Sequence, residues 1–168
     1  MNVIFFIVLQ IVFSNNTFNL SEMEPKQVSK NGMTVKWIVL DNYIQFTLQS
    51  PKHGWVAIGI NEEATLINSN LIMANVENNS PRISDRFVVS LGNHKAVTDL
   101  GGEKCVALIN GNQSSEGTSI TFNIKKHSGD NFHYQLREGQ AYYLTMAYSL
   151  ADDFQHHSIM RTATKIIL

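Results

Sequence analysis

Residues 33–48 read MTVKWIVLDNYIQFTL, and this stretch decides the fold class. Apolar and polar side chains alternate through residues 33–39 and again through residues 44–48. Strict alternation is the pattern of a β-strand with one buried face. The polar pair between the two halves marks a turn. We therefore predict two adjacent strands whose inner faces carry Trp37 and Phe46.

The same kind of pattern covers most of the chain. Residues 120–125 and 142–148 alternate in the same way, whereas residues 55–60, 71–76 and 87–91 are apolar on both sides. The latter runs are typical of central strands. No stretch carries a sustained helical stripe. Eight or nine short strands separated by polar turns predict an all-β chain, folded as an antiparallel β-sandwich or barrel.

Length and charge limit what such a chain can be. A sequence of 168 residues suits one domain with a real core, and we place that domain at residues 24–168. The formal net charge is -1 and no basic patch is visible, so nucleic acid is not an expected partner. No nucleophile elbow, phosphate loop or zinc-protease motif is present, and catalysis by this chain alone is not expected.

The N-terminal segment differs from the rest. Residues 3–13 are apolar except for Gln10, and about eleven residues are too few to cross a bilayer, which takes roughly twenty. Such a run is typical of a secretory signal, which we assign to residues 1–14, extending to about residue 20. We therefore expect an extracytoplasmic protein, secreted or periplasmic, without a transmembrane span once the signal is removed.

Isolated reactive residues are interpreted as structural. Cys105 is the only cysteine, which excludes an intrachain disulfide and a covalent c-type haem, and a buried position is expected for it. Asp85 and Arg86 are expected to form an ion pair where a strand begins. Four histidines without ligand-like spacing are expected at the surface: His53, His94, His127 and His133.

Most of the potential chemistry lies in residues 147–162, AYSLADDFQHHSIMRT. Segments that connect strands lie at the rim of a sheet, where side chains can converge on a ligand. We therefore predict a pocket near the Asp152–Arg161 link, with His156, His157 and Asp153 as ligand-binding residues. Adjacent side chains in extended backbone point to opposite faces, so one of the two histidines is expected to enter the pocket. Arg161 is expected to pair with Asp152 or Asp153.

Three stretches, taken in order, resemble a DOMON domain, the exported module named from dopamine β-monooxygenase. They are HGWVAIGIN at residues 53–61 followed by NLIMA at 70–74, SDRF at 84–87, and AYSLADDFQHH at 147–157. The resemblance covers nearly the whole chain after the signal. It implies an immunoglobulin-like β-sandwich that serves in ligand binding or electron transfer.

Some DOMON domains hold a b-type haem between a methionine and a histidine, and the resemblance implies where those ligands lie. The resemblance implies that the position of the axial methionine falls at about Leu66, within TLINSN, and a leucine cannot ligate iron. Met73, a few residues further on, and Met160 are the thioethers left as alternatives. The matching histidine is His156 or His157, and a neighbouring aspartate would fix its tautomer.

Three functions follow from these patterns. The first is an exported, non-catalytic DOMON-like domain that binds a small ligand, haem or a sugar. The second is a haem b-binding electron-transfer domain that works with a redox partner protein, and the third is an interaction domain without a small ligand. For a sugar, Trp55 is the expected binding residue, within a stacking platform that would also include Tyr142, Tyr143 and Tyr148.

Overall fold

The computed structural model describes residues 24–168, so the expected signal at residues 1–14 lies outside the described part of the chain. Between residues 24 and 168, no helix has the length and apolar character needed to cross a membrane. Eleven strands make up this part: β1 (Lys26–Lys30), β2 (Met33–Val39), β3 (Tyr43–Ser50), β4 (Val56–Asn61), β5 (Asn70–Glu77), β6 (Ser80–Ser90), β7 (Asn93–Ala96), β8 (Val106–Ser114), β9 (Gly117–Lys125), β10 (Ala141–Tyr148) and β11 (Met160–Ile167).

Two antiparallel sheets pack face to face. One has the strand order β1-β2-β3-β9-β8 and the other the order β11-β10-β4-β5-β6-β7. The expected all-β, immunoglobulin-like antiparallel sandwich is therefore confirmed. Eleven strands are described instead of eight or nine because the short strands β1 and β7 are polar and lie at sheet edges. Such strands have no apolar alternation by which a sequence could reveal them.

The core contains the two residues that the opening stretch predicts. Trp37 on β2 lies opposite Phe46 on β3, and Phe46 lies opposite Phe122 on β9. All three are buried, and the rings of Phe46 and Phe122 stack with centroids 6.0 Å apart. Burying side chains of this size stabilises the sandwich by about 1.5–3 kcal/mol each.

A buried tyrosine fixes the approach to β10. The Tyr142 hydroxyl donates a hydrogen bond to the carbonyl of Gln135 at 2.7 Å and accepts one from the amide of Arg137 at 3.0 Å. A tyrosine near the start of a strand that bonds to backbone a few residues upstream is the tyrosine corner of immunoglobulin-like sandwiches. Tyr142 is fully buried, so its ring packs in the core while its hydroxyl anchors the preceding loop.

The prediction that residues 87–91 are buried on both faces is wrong in part. Val89 is 43% exposed and Leu91 is 74% exposed. Strand β6 pairs with the edge strand β7 at this end, and the turn at Gly92 between them extends beyond the core. The apolar composition here therefore does not correspond to burial.

Candidate functional site

Strands β4 and β5 are buried on both faces, as their apolar sequences predict. Ile58 and Ile72 lie opposite each other and enter the sandwich core, while Ala57 and Met73 form the next pair and face the other way. That outer face carries a second apolar cluster, separate from the core. Its buried members are Trp55, Ala57, Leu71, Met73, Val88 and Ala147, with Leu66 and Phe154 packed against them.

Small side chains form the centre of this outer face. Ala57 lies opposite Ala147, and Gly59 lies opposite Thr145, so β4 and β10 present little bulk above the sheet. Larger apolar side chains follow on β5, the next strand. The difference in side-chain size creates a depression whose floor is the backbone and short side chains of two central strands.

The segment after β4 forms one wall of the depression. Asn61 is buried, and its amide group donates to the carbonyls of Thr65 and Ile67 at 3.0 and 2.9 Å. Its carbonyl oxygen accepts from the amide of Glu63 and from the hydroxyl of Tyr134. One side chain thus sets the path of the segment that brings Leu66 over the apolar cluster.

The link between β10 and β11 forms the other wall. The Trp55 indole N–H donates to the carbonyl of His156 at 3.2 Å, and the Ser149 hydroxyl donates to the carbonyl of His157 at 3.0 Å. Gly54 has a φ of 111°, and a Cβ there would lie 2.3 Å from the Ser149 carbonyl oxygen. Glycine is therefore required where the start of β4 passes the link.

A pocket of about 320 Å³ lies between the two walls. This volume is at the lower end of the range of about 300–1,000 Å³ that is usual for small-molecule sites. Apolar side chains of the second cluster line its base. Its polar border includes Arg86, His94, Asn93, Thr145, Gln155, His156, His157, Ser158 and Arg161.

The structure brings most of the sequence-predicted site residues to this pocket. Trp55, Met73, His156 and His157 all border it. Asp153 does not border it but lies behind His156, with its Oδ2 atom 3.2 Å from Nδ1 of that ring. The predicted link therefore does adjoin a concave site, although the sequence did not indicate that the site lies on the outer face of a sheet.

Two expectations about the link are wrong. Residues 150–156 of the link form turns and bends instead of extended backbone, and both His156 and His157 border the pocket. The alternation argument therefore does not apply to them. Arg161 forms no ion pair with Asp152 or Asp153 in the described chain; Asp152 instead accepts from Gln113 at 3.0 Å, and Asp153 pairs with His156.

Two further alternatives are wrong because of strand alternation. Met160 begins β11 and packs against the sandwich core, away from the pocket. Tyr142 and Tyr148 are also buried in the core, as is usual for aromatic strand residues, so the alternative of a four-residue sugar platform is excluded. Tyr143 alternates to the outer face, where its ring lies below the Lys165 ammonium at 5.9 Å from the centroid.

Sequence reasoning missed the role of Arg86. Asp85 and Arg86 lie within β6 and not at a strand start, and adjacent residues of a strand face opposite sides of the sheet, so the predicted ion pair does not form. The Arg86 Nε–H donates to Nδ1 of His94 at 2.7 Å. The pKa of His94 is lowered, mainly by burial and to a lesser extent by the nearby Arg86 guanidinium. Burial also lowers the pKa of Arg86, although the negative charge of Asp99 acts in the opposite direction.

The other face of β6 carries a buried cluster that sequence reasoning also missed. His133, expected at the surface, has a side chain only 3% exposed, with Nδ1 at 2.8 Å from Asp130 and Nε2 at 3.0 Å from Asp85. Asp85 also accepts from the Cys105 amide and from the Asn70 side chain, each at 2.8 Å. Burial, and then these carboxylates, raises the pKa of the Cys105 thiol to about 11, so the thiol stays protonated.

Comparison with known proteins agrees with the fold. The DOMON domain family model matches residues 29–149, and the chain belongs to the DOMON domain family. The cytochrome domain of Myriococcum thermophilum cellobiose dehydrogenase is similar, with a TM-score of 0.60 and 13% identity over 87% of this chain and 82% of that one. The cytochrome b domain of pyranose dehydrogenase from Coprinopsis cinerea is also similar, with a TM-score of 0.55 and 13% identity over 85% of this chain and 86% of that one. None of the curated protein sequences matches.

The donor atoms at the pocket border that could hold a haem iron include an imidazole and a thioether. His156 has the arrangement that ligating imidazoles usually show, with Nδ1 against a carboxylate and Nε2 left for a metal. His94 has the opposite arrangement, because its Nδ1 accepts from Arg86. Leu66 borders the pocket without a donor atom, so Met73 is the one thioether at the border among residues 24–168.

Proposed function

We propose that this DOMON domain binds a small ligand in the pocket on the outer face of its six-stranded sheet. The observation that carries the proposal is the second apolar cluster, which lies outside the sandwich core under two loops. An apolar sheet face of this kind is not needed to hold the two sheets together. Its small central residues and a cavity of about 320 Å³ instead suit a ligand with an apolar body.

The domain is proposed to be non-catalytic on its own. At the pocket border the His94 ring contacts the Arg86 guanidinium and the His156 ring contacts Asp153, and no histidine there pairs with a serine or cysteine nucleophile among the described residues. Binding is therefore the activity that the pocket supports. An interaction domain without a small ligand is disfavoured, since it has no use for a concave site at the Asp152–Arg161 link.

A filled-pocket variant tests the binding proposal. Ala57→Leu places a larger apolar side chain on the floor of the pocket, and Ala107→Leu makes the same change on an exposed position of β8. Fluorescence titration with the neutral probe N-phenyl-1-naphthylamine is expected to show binding to the wild type and to Ala107→Leu. Ala57→Leu is expected to bind at least about tenfold more weakly. Equal binding by both variants, with unchanged circular dichroism, would remove the pocket as the site.

A second candidate is a haem b-binding electron-transfer domain, acting with a redox partner protein. The pairing of His156 with Asp153 favours it, because an imidazole oriented by a carboxylate is suited to bind iron. When bound, the haem would supply one-electron chemistry. In this chain His156 would hold the iron, and the second apolar cluster would supply an apolar floor.

Absorption spectra decide between these candidates. With haem b added, the electron-transfer candidate predicts a Soret band that saturates at one haem per chain. His156→Ala is expected to alter the band more than His157→Ala, because only His156 has a carboxylate partner. The exposed His127, which does not border the pocket, gives the control variant His127→Ala. A colourless protein that still binds the neutral probe would leave the first candidate and exclude the second.

Export is proposed on the apolar run at residues 3–13. Cleavage near residue 14 would release the sandwich as an extracytoplasmic domain. Mass spectrometry of protein recovered outside the cytoplasm tests this proposal. Recovery of intact Met1 on most molecules would contradict it.

A further inference from the structure

We propose that the ligand of this pocket carries an acidic group that Arg86 binds, and that Arg161 attracts from the opposite side. This inference rests on the proposed binding function and specifies the chemical class of the ligand. The class is an organic acid with an apolar body. Three observations carry the inference: the charge of the lining, the surroundings of Arg86 and the spacing of the two arginines across the sheet.

The lining is positively charged. Arg86 and Arg161 border the pocket, and none of the described residues that line it is an aspartate or glutamate. A neighbouring depression of about 700 Å³ over β10 and β11 shares Arg161 and adds Lys30 and Lys165, again without an acidic residue among its described lining. The chain as a whole is nearly neutral, so this concentration of positive charge is local. A field of one sign in a cleft favours ligands of the opposite sign.

Arg86 is half-buried without a carboxylate partner. Its guanidinium donates to Nδ1 of His94 at 2.7 Å, to the His94 carbonyl at 3.4 Å and to the Ser84 hydroxyl at 3.3 Å. These three bonds use three of the five N–H donors that a guanidinium offers. No acid forms an ion pair with Arg86 in the described chain, although Asp99 acts on it at longer range. A partly desolvated charge is costly unless it is paired, and a ligand carboxylate would provide the missing partner.

The strand register places the two arginines on opposite sides of the pocket floor. Arg161 lies opposite Ala147, which lies opposite Ala57, and Arg86 lies opposite Leu71 on the other side. Four strand spacings separate β11 from β6, which is roughly 19 Å between their backbones. An apolar body over the small residues in the middle can therefore direct an acidic group towards either guanidinium. Arg86 is the stronger candidate because it is the more desolvated of the two.

Two fluorescent probes with one aromatic framework separate the acidic group from the apolar body. 1-Anilinonaphthalene-8-sulfonate carries a sulfonate that N-phenyl-1-naphthylamine lacks. The wild type is expected to prefer the anionic probe, and Arg86→Gln to lower that preference by about tenfold or more, since a charge-assisted hydrogen bond is lost. Arg161→Gln is expected to lower it less. The control Arg82→Gln, on the same strand but exposed and paired with Glu77, is expected to leave it unchanged.

The outcomes distinguish this inference from the function on which it rests. If Ala57→Leu blocks the neutral probe but Arg86→Gln and Arg161→Gln leave the preference between the probes unchanged, the pocket stands and the acidic ligand is excluded. If Ala57→Leu blocks neither probe, the proposed function fails and this inference fails with it. Near-ultraviolet circular dichroism of each variant checks that the anionic probe reports the pocket and not a loosened core.

Discussion

The Nε2 atom of His133 lies 3.0 Å from Oδ2 of Asp85, although 48 positions separate the two residues in sequence. Asp130 holds the other ring nitrogen at 2.8 Å, so one buried imidazole joins the loop before β10 to strand β6. Burial lowers the pKa of His133, but the hydrogen bonds to the two carboxylates outweigh that effect and raise its pKa above the ordinary value.

This cluster predicts a pH dependence of stability. Because the pKa of His133 is raised in the folded state, its contribution to the free energy of unfolding is fully present below the unfolded-state pKa of about 6.5. The contribution is lost as pH rises through the raised folded-state pKa. His133→Gln should therefore lower the free energy of unfolding by about 3–5 kcal/mol at about pH 6 and by distinctly less at about pH 9. Urea unfolding at a series of pH values measures this difference.

The control for the pH experiment is His127→Gln, at an exposed histidine on the segment after β9. It should change the free energy of unfolding little at any pH in the series. A cost for His133→Gln that is the same at both ends of the series would contradict the raised pKa of this ring in the folded state.

Truncation of large buried side chains in the core is predicted to cause a large loss of stability. Trp37→Ala and Phe46→Ala should each cost about 3–5 kcal/mol of unfolding free energy, because both rings are buried and face each other across two strands. Tyr43→Ala, at a partly exposed position of the same strand as Phe46, should cost much less. Urea denaturation provides the measurement. Losses below about 1 kcal/mol at both core positions would mean that the packing described here is wrong.

We predict that the wall of the pocket formed by the segment after β4 depends on the side chain of Asn61. Asn61→Ala removes the hydrogen bonds to the carbonyls of Thr65 and Ile67, and should cost about 1–3 kcal/mol because those groups lose a buried partner. Amide hydrogen exchange should accelerate mainly in residues 63–69. Asn112→Ala, at an exposed position of β8, is the matched control. Uniform acceleration throughout the sandwich would argue against a local role.

Leu66 offers a test of the haem candidate by gain of a ligand. Leu66→Met introduces a thioether at the pocket border, at about the position where the sequence resemblance implies a haem-ligating methionine. If the wild type binds haem b through a histidine, the variant should increase the low-spin fraction in its absorption spectrum. Ala64→Met, on the same loop but outside the border of this pocket, should not. Identical spectra for the two variants would show that Leu66 does not reach the iron.

The strands of the core could be predicted because their signal is local. Alternation in residues 33–48 is enough to place Trp37 and Phe46 on the inner faces of two adjacent strands, since side chains on a strand change face at every residue. The runs at 55–60 and 71–76 likewise indicated burial on both faces. They did not indicate that the second face lies under loops instead of under another sheet, because both kinds of cover select the same apolar residues.

Polar positions depended on tertiary structure. His133 has no sequence feature that separates it from the exposed His127, and its burial follows from two aspartates that only the fold brings to it. The link with His156 and His157 was found from its composition, but its turns overrode the alternation that extended backbone would impose.

Sequence by itself therefore determined the strands, the sandwich and the segment where polar chemistry concentrates, because these depend on the spacing of neighbouring residues. Tertiary structure alone decided that Arg86 and Arg161 border one pocket and that small residues of β4 and β10 form its floor. Such contacts join residues far apart in the chain. Their identity depends on the order of strands in the sheet, which the alternation within a single strand does not specify.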